Sequence, residues 1–180
     1  MRKYICISGK AQHGKDTLGR AMKDHLESKG FKVLIAHYGD LLKYICKTFL
    51  DWNGKKDEAG RTLLQQVGTE VVRRQQPNFW VEFIEKITKM MSDRWDYIII
   101  PDARFPNEVY GLQKDDSVVI HIRVVRDGFV SPLNEEQQHH LSETALDNVP
   151  RYCTVHNNGT IDELSEALIP LVDEIIKEYQ

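Results

Sequence analysis

The residues from Gly9 to Thr17 could bind a chain of phosphate groups. Two glycines five residues apart, Gly9 and Gly14, let the backbone turn so that successive N–H groups point at phosphate oxygens. Lys15 adds a mobile cation, and the N-terminus of a following helix adds positive potential. This spacing is typical of a loop that holds the phosphates of a nucleoside triphosphate. The residues expected to bind ATP here are Gly9, Ala11, His13, Gly14, Lys15, Asp16 and Thr17.

One position departs from the usual pattern of such a loop. Ser or Thr normally follows the lysine and binds Mg²⁺ through its hydroxyl, whereas this chain has Asp16 there. A carboxylate is also a hard oxygen ligand, and Mg²⁺ usually keeps several waters. We therefore expect Asp16 to hold the ion directly or through water, and Thr17 to hydrogen-bond the α-phosphate.

A second acidic residue, Asp102, follows the most apolar segment of the chain, 97–100. Ligands of open α/β sheets bind at the carboxyl ends of the strands, where a carboxylate can complete the metal site of a bound triphosphate. Arg104 lies two residues further on, and its guanidinium can bond two oxygens of one phosphate. We expect Asp102 to bind the metal and Arg104 a phosphate. A strand-end turn with a surface ion pair would give the same pattern.

The polar segment 126–150 is too long for an ordinary connection, so we expect it to be either a mobile lid or a disordered excursion. Phosphoryl transfer spreads negative charge over the moving group. A closing segment that carries arginine would neutralise this charge and exclude water. Arg126 is the preferred lid arginine, because it lies where the preceding apolar segment ends. The residues expected to act in catalysis are therefore Lys15, Asp102, Arg104 and Arg126.

Short apolar segments alternate with segments of helical periodicity, and together they predict the fold that positions these residues. Strands are expected at 3–8, 32–37, 96–101, 117–125 and 152–156. Helices are expected at 16–29, 41–50, 61–74, 79–91, 108–113 and 161–179. Strands that are apolar throughout and alternate with helices indicate a parallel sheet covered on both faces. We predict a three-layer α/β domain with about five parallel strands.

The composition argues against several classes of protein. The chain has 180 residues, which fits a single domain over 1–180. Its formal net charge of −3 does not favour a nucleic-acid polymer as partner. Its apolar runs are far shorter than the ~20 residues that span a bilayer. The three cysteines lack a CxxC spacing, which indicates buried thiols in a reducing cytoplasm. The sequence leaves open whether the protein forms a homodimer.

The sequence resembles the deoxynucleoside monophosphate kinases of phages and bacteria over most of its length. The most specific likeness is Asp-Ala-Arg-Phe-Pro-Asn-Glu at 102–108, since those enzymes carry a closely similar Asp-x-Arg-Phe-Pro-Asn-Glu segment. Other similar segments are 39–43, 61–73, 79–81, 140–143 and 157–160. The resemblance implies a P-loop kinase fold with a lid and an acceptor-binding helical region at about 38–92. It also implies Mg²⁺-dependent transfer from ATP to a (deoxy)nucleoside monophosphate.

The resemblance implies roles for further residues. Those on the acceptor side would be Asp40, Lys43, Gln66, Arg73, Trp80 and Arg104. On spacing alone, Trp80 is more typical of a core residue, whereas Gln66 and Arg73 are seven apart and would share one face of an α-helix. Asn157 and Gly159 would lie beside the adenine of ATP, although a turn before a helix N-cap gives the same pattern.

Two alternatives remain at this point. The chain could phosphorylate another small phosphorylated acceptor, such as phosphomevalonate or dephospho-coenzyme A, since phosphomevalonate kinases of the animal type share the Gly-Lys-Asp feature of the loop. It could instead be a nucleotide-dependent switch that works through a partner and transfers no phosphoryl group. The extensive acceptor-side segment 61–80 favours a kinase.

Overall fold

The computed structural model describes residues 1–179 and contains one sheet of five parallel strands. The strands are β1 (Arg2–Ser8), β2 (Val33–Ile35), β3 (Tyr97–Ile100), β4 (Ser117–Val125) and β5 (Cys153–His156). Their order across the sheet is β2-β3-β1-β4-β5, and every neighbouring pair is parallel. The predicted α/β fold with five parallel strands is therefore confirmed. Because β1 is the central strand, the loop that follows it lies at the middle of one sheet edge.

Helices cover both faces of the sheet. The α-helices are α1 (Lys15–Ser28), α2 (Tyr38–Phe49), α3 (Glu58–Gln65), α4 (Phe79–Met90), α5 (Pro106–Tyr110), α6 (Glu135–His139), α7 (Leu141–Thr144) and α8 (Ile161–Glu178). A π-helix, Gln66–Arg73, follows α3 without a break. No helix within residues 1–179 combines the length and the apolar character needed to cross a membrane.

The alternation of side chains along β1 explains the three layers. Ile5 and Ile7 pack into one apolar cluster with residues of α1 and α8. Tyr4 and Cys6 point the other way, into a second cluster with residues of α2, α4 and α5. All four side chains are fully buried, as expected for the central strand of a sheet covered on both faces.

Three elements differ from the sequence prediction. The helix expected at 61–74 changes to π-helical hydrogen bonding at Gln66. The helix expected at 108–113 begins at Pro106, because a proline suits the first turn and Glu108 caps the backbone N–H of Phe105. The segment 126–150 is not without structure, since it contains α6 and α7.

Candidate active site

A cavity of about 450 Å³ opens where β1, β2 and β3 end. Its walls come from the loop after β1, the start of α2, the π-helix, the turn after β3 and the residues around α7. The sequence-predicted residues that line it are Ala11, Lys15, Asp16, Lys43, Arg73, Trp80, Asp102 and Arg104. The structure therefore brings the phosphate loop, the second acidic site and part of the acceptor side to one place.

The loop after β1 has a backbone that requires its two glycines. Gly9 has φ of 153°, and a Cβ atom there would lie 2.5 Å from the carbonyl oxygen of Val124. Gly14 has φ of 96°, and a Cβ atom there would lie 2.2 Å from the side-chain nitrogen of Asn157. That nitrogen donates to the carbonyl of His13 at 3.0 Å. Asn157 therefore supports the loop from outside the cavity.

The amine of Lys15 lies across its own loop. Its Nζ donates to the carbonyl oxygens of Gly9 and Lys10, each at 2.8 Å. Burial, together with the nearby guanidinium of Arg104, lowers the pKa of Lys15 to about 8. The lysine is thus held at the entrance of the loop, where an anion would stabilise its charged form.

Asp16 has a partner that the sequence did not reveal. The Nε2 atom of His37 lies 2.9 Å from Oδ1 of Asp16, and this hydrogen bond lowers the pKa of Asp16 and raises that of His37. His37 directly precedes α2 and also lines the cavity. Thr17 is not among the lining residues. A single histidine between a strand and a helix gives no motif, so no sequence signal pointed to this pair.

Asp102 caps the start of α2. Its two carboxylate oxygens accept the backbone N–H groups of Tyr38 at 2.9 Å and Gly39 at 2.8 Å. The carboxylate satisfies N–H groups that have no partner within the helix. Asp16 and Asp102 both line the cavity. Within residues 1–179, no group of three or more His, Cys, Asp or Glu side chains could hold a metal without other ligands.

Glu108 joins the turn after β3 to the π-helix. Its side chain is 4% exposed and is paired with Nη2 of Arg73 through one oxygen. The other oxygen accepts the backbone N–H groups of Arg104 at 2.6 Å and Phe105 at 3.1 Å. The guanidinium of Arg73 also lies 3.9 Å from the ring centroid of Phe105. Arg73 therefore fixes the turn from within the protein, and Glu108 is a structural residue of the site whose pairing with Arg73 no spacing in the sequence indicates.

Arg104 points towards the phosphate loop and is paired with a carboxylate. Its Nη1 donates to Oε1 of Glu143 and, at 3.2 Å, to the carbonyl oxygen of Ser142. The Oε2 atom of the same glutamate accepts the backbone N–H of Ala11 at 3.0 Å. Glu143 thus lies between the loop and Arg104, a contact between residues more than 130 positions apart that sequence spacing could not indicate.

One residue expected on the acceptor side does not face the cavity, and two of its neighbours do so instead. Gln66 is exposed and lies outside the cavity, whereas Gln65 and Thr69 line it with Arg73. The expected shared face of Gln66 and Arg73 assumed α-helical turns. The π-helix has i→i+5 hydrogen bonds and wider turns, so residues four apart align instead.

Two other acceptor-side residues also have contacts of their own. Asp40 is exposed, lies outside the cavity and accepts from Nζ of Lys43 at 2.7 Å. Trp80 is 4% exposed and donates from its indole nitrogen to the carbonyl of Gly68 at 3.2 Å. Trp80 therefore contributes to the core and to the cavity wall together, while Lys43 faces the cavity.

Arg126 of the expected lid does not line the cavity, and neither do Asn157 and Gly159, the residues expected near the adenine. His13 accepts the backbone N–H of Arg126 at 3.2 Å through its Nδ1 atom. The guanidinium of Arg126 is exposed and lies 5.0 Å from the ring centroid of Phe129. Gly159 approaches the carboxylate of Glu163, which caps α8. Arg126 therefore does not face the cavity that Lys15 and Arg104 line.

Comparison with known proteins gives one family and several structural neighbours. A family model described as deoxynucleotide monophosphate kinase matches residues 43–168. No protein of curated function matches the sequence. An APS kinase of Mycobacterium tuberculosis, solved with AMPPNP and APS, is 14% identical with a TM-score of 0.51, and the match covers 95% of this chain and 97% of that one. An unliganded sugar kinase from a Janibacter species is 10% identical with a TM-score of 0.53, covering 96% and 95%. At these identities the likeness establishes the fold alone.

We predict that Glu108 makes the stability of the protein fall as pH rises from about 4.5 to about 7. Burial raises the pKa of Glu108 from 4.5 to about 7, although Arg73 and the two amides oppose this shift. The folded state therefore binds the proton more tightly than the unfolded state. The resulting stability is fully present below pH 4.5 and is lost as pH rises through the folded-state pKa.

Urea denaturation of the wild type and of Glu108→Gln across this pH range measures the effect. The difference in free energy of unfolding between them should change to the disadvantage of the wild type as the pH rises through the folded-state pKa. Glu82→Gln is a matched control, because Glu82 is exposed on α4. Parallel curves for the wild type and Glu108→Gln would contradict the prediction.

Proposed function

The chain belongs to the deoxynucleotide monophosphate kinase family, and we propose that it transfers the γ-phosphoryl group of ATP to a (deoxy)nucleoside monophosphate. The observation that carries this proposal is the meeting of two phosphate-binding features in one cavity. Ala11 and Lys15 belong to the loop after β1, and Arg104 reaches towards them from the turn after β3. A kinase needs this arrangement, because its donor and acceptor phosphates must come within bonding distance of each other.

On the donor side, the loop amides and Lys15 would hold the β- and γ-phosphates. Mg²⁺ fits the donor set, since Asp16 and Asp102 offer carboxylate oxygens at the cavity and this ion completes its coordination with water and phosphate oxygens. When bound, Mg²⁺ neutralises part of the charge on the phosphate oxygens. His37 would orient Asp16 through their hydrogen bond. Asn157 would keep the loop in shape by its bond to His13.

On the acceptor side, Arg104 would hold the phosphate of the nucleoside monophosphate. Lys43 offers a second cation in the same cavity, and Gln65 and Thr69 offer polar groups on its helical wall. Arg73 would act as a positioning residue, because its guanidinium is already engaged by Glu108. The region 38–92 would thus form the acceptor side of a single domain.

The chemical step requires little proton transfer. An oxygen of the acceptor phosphate attacks the γ-phosphorus in line, and the bond to the β–γ bridging oxygen breaks to leave ADP. The attacking oxygen is already ionised at neutral pH, so no strong general base is required. This agrees with the contacts of Asp102, whose oxygens are both engaged by backbone N–H groups. Positioning and charge neutralisation would therefore supply most of the catalysis.

The region 126–150 would act as the lid of this domain. Arg126 points to the solvent in the present arrangement, so it would have to move to reach a phosphoryl group. Arg123, whose side chain is 11% exposed, is paired with Asp147, so it would support the lid and not contact the transferred group. Movement of a lid would exclude water from the transfer step.

We predict ADP release only with nucleoside monophosphates when ATP and Mg²⁺ are combined with a panel of acceptors. A coupled assay with all common deoxy- and ribonucleoside monophosphates, phosphomevalonate and dephospho-coenzyme A measures this directly. Lys15→Ala should be inactive with every acceptor, because its amine lies against the backbone of the phosphate loop. Lys23→Ala is the control, since Lys23 pairs with Glu27 on the outside of α1. Turnover with phosphomevalonate or dephospho-coenzyme A alone would replace the proposed acceptor.

We predict that Asp16→Asn weakens the binding of Mg²⁺ more than it weakens the binding of the nucleotide without metal. An amide is a weaker ligand than a carboxylate for a hard cation, and it also changes the bond to His37. The half-saturating Mg²⁺ concentration at fixed ATP should rise about tenfold, which corresponds to about 1.4 kcal/mol. Asp24→Asn is a control, because Asp24 is exposed on α1 and lies outside the cavity. An unchanged half-saturating concentration in Asp16→Asn would remove this residue from the metal site.

We predict that Arg104→Lys raises the acceptor KM and changes the affinity for ATP little. Lysine keeps the charge but cannot bond two phosphate oxygens at once. An increase of about tenfold in KM with kcat retained would mean that Arg104 binds the acceptor in its ground state. A lower kcat as well would mean that it also holds the moving group. Arg94→Lys, on an exposed turn before β3, is the control. A large loss of ATP affinity with unaltered acceptor KM would assign Arg104 to the donor side.

A further inference from the structure

The carboxylate of Glu143 lies between the donor side and the acceptor side of the cavity. One oxygen accepts the N–H of Ala11 in the phosphate loop at 3.0 Å, and the other is paired with Arg104. The side chain is 4% exposed, so water screens these contacts weakly. In the proposed reaction, the group that must lie between the loop and Arg104 is the transferred phosphoryl group.

The backbone around Glu143 is fastened to the same loop by charged contacts. Lys10 donates to the carbonyl oxygen of Glu143 at 2.7 Å and to the carboxylate of Asp147 at 2.9 Å. Arg123 donates to Asp147 at 2.7 Å and to the carbonyl oxygen of Leu146 at 2.9 Å. The segment 141–147, called here the plug, is therefore held against the loop through Glu143 and Asp147 and against β4 through Leu146 and Asp147.

The plug supplies negative charge where the fold concentrates positive charge. Lys15, Arg104 and the amide of Ala11 all face the same small volume. Arg104 disfavours the charged form of Lys15, and the carboxylate of Glu143 favours it. A phosphate would meet the same donors and the same cations. An internal carboxylate and an external phosphate cannot both occupy this place, since like charges at contact distance repel strongly.

We propose that Glu143 is an internal substitute for the transferred phosphoryl group and that the plug closes the site until a phosphate displaces it. This inference rests on the proposed function, because it assumes that the loop after β1 binds phosphate. It adds a competition within the chain itself. The substrate-free protein is stabilised by the carboxylate, and the apparent affinity for phosphate ligands is reduced by the fraction of molecules in which the plug is closed.

The test compares four proteins by isothermal titration calorimetry, with ATP plus Mg²⁺ and with tripolyphosphate alone. Glu143→Gln removes the charge of the plug. Glu143→Asp keeps the charge but shortens the side chain, so that it cannot span from Ala11 to Arg104. Glu135→Gln is the matched control, since it removes one charge from an exposed position on α6 in the same region. Both Glu143 variants should bind each ligand about tenfold more tightly than the wild type, and the control should not.

Each alternative outcome overturns the inference. Unchanged or weaker binding in both Glu143 variants would mean that no plug competes with phosphate. Tighter binding in Glu143→Gln alone would mean that the negative charge of residue 143 repels the ligand without the side chain occupying the place of a phosphate. If all four proteins bind both ligands equally well, the phosphate loop stands and only the plug is refuted. If none binds either ligand, the proposed function fails together with the plug.

Hydrogen exchange distinguishes a displaceable plug from a glutamate that only stabilises the fold. Only a plug would exchange its backbone N–H groups faster when a phosphate ligand binds. The backbone N–H groups of Glu143, Ala145 and Asp147 are hydrogen-bonded within residues 140–147. Ligands normally slow exchange where they bind, but displacement of the plug should accelerate exchange in this segment by about tenfold when tripolyphosphate is added. In Glu143→Gln the exchange should be fast before any ligand is added. Slower exchange of the segment on ligand binding to the wild type would refute the plug.

Discussion

The buried ion pair between Glu108 and Arg73 is the contact on which the acceptor side of the cavity depends. It ties the turn after β3 to the π-helix, and the second oxygen of Glu108 also fixes the backbone of Arg104. Replacing one partner of such a pair leaves an uncompensated buried charge, which typically costs about 3–5 kcal/mol. Since the backbone of Arg104 is fixed by Glu108, its guanidinium is held in a position that faces the phosphate loop. The pair between Glu108 and Arg73 thus acts on the cavity indirectly, through the position of Arg104.

A second constraint arises from the concentration of positive charge around the phosphate loop. Lys10, Lys15 and Arg104 lie close together, and burial already lowers the pKa of Lys15 to about 8. In a partly buried site, such charges need an anion to offset their repulsion. The fold meets this need with carboxylates from the lid region, Glu143 and Asp147. The same property that makes the site attractive to phosphate also makes it attractive to the protein's own side chains.

Much of the fold could be predicted because it depends on local patterns. The apolar strands, the glycines of the loop and the position of Asp102 at the end of a strand follow from neighbouring residues. The contacts that were missed depend on tertiary structure. Gln65 and Thr69 line the cavity in place of the expected Gln66 because the helix there is a π-helix. Its wider turns leave no clear mark in the sequence. Likewise, the contact of Glu143 with the loop joins distant segments, and no periodicity encodes it.

The two sides of the cavity are held by contacts of different kinds, and this determines which side can move. Asp102 caps α2 and Glu108 fixes the backbone at Arg104, so the turn after β3 is joined both to the start of α2 and to the π-helix. The plug, in contrast, is joined to the loop through charged contacts, namely the nearly buried carboxylate of Glu143 and the partly exposed pair of Lys10 with Asp147. Partly exposed ion pairs contribute little net stability, and a phosphate can replace a carboxylate in each of them. If the chain acts as proposed, motion should therefore be confined to residues 126–150, while the sheet edge keeps Asp102 and Arg104 in position.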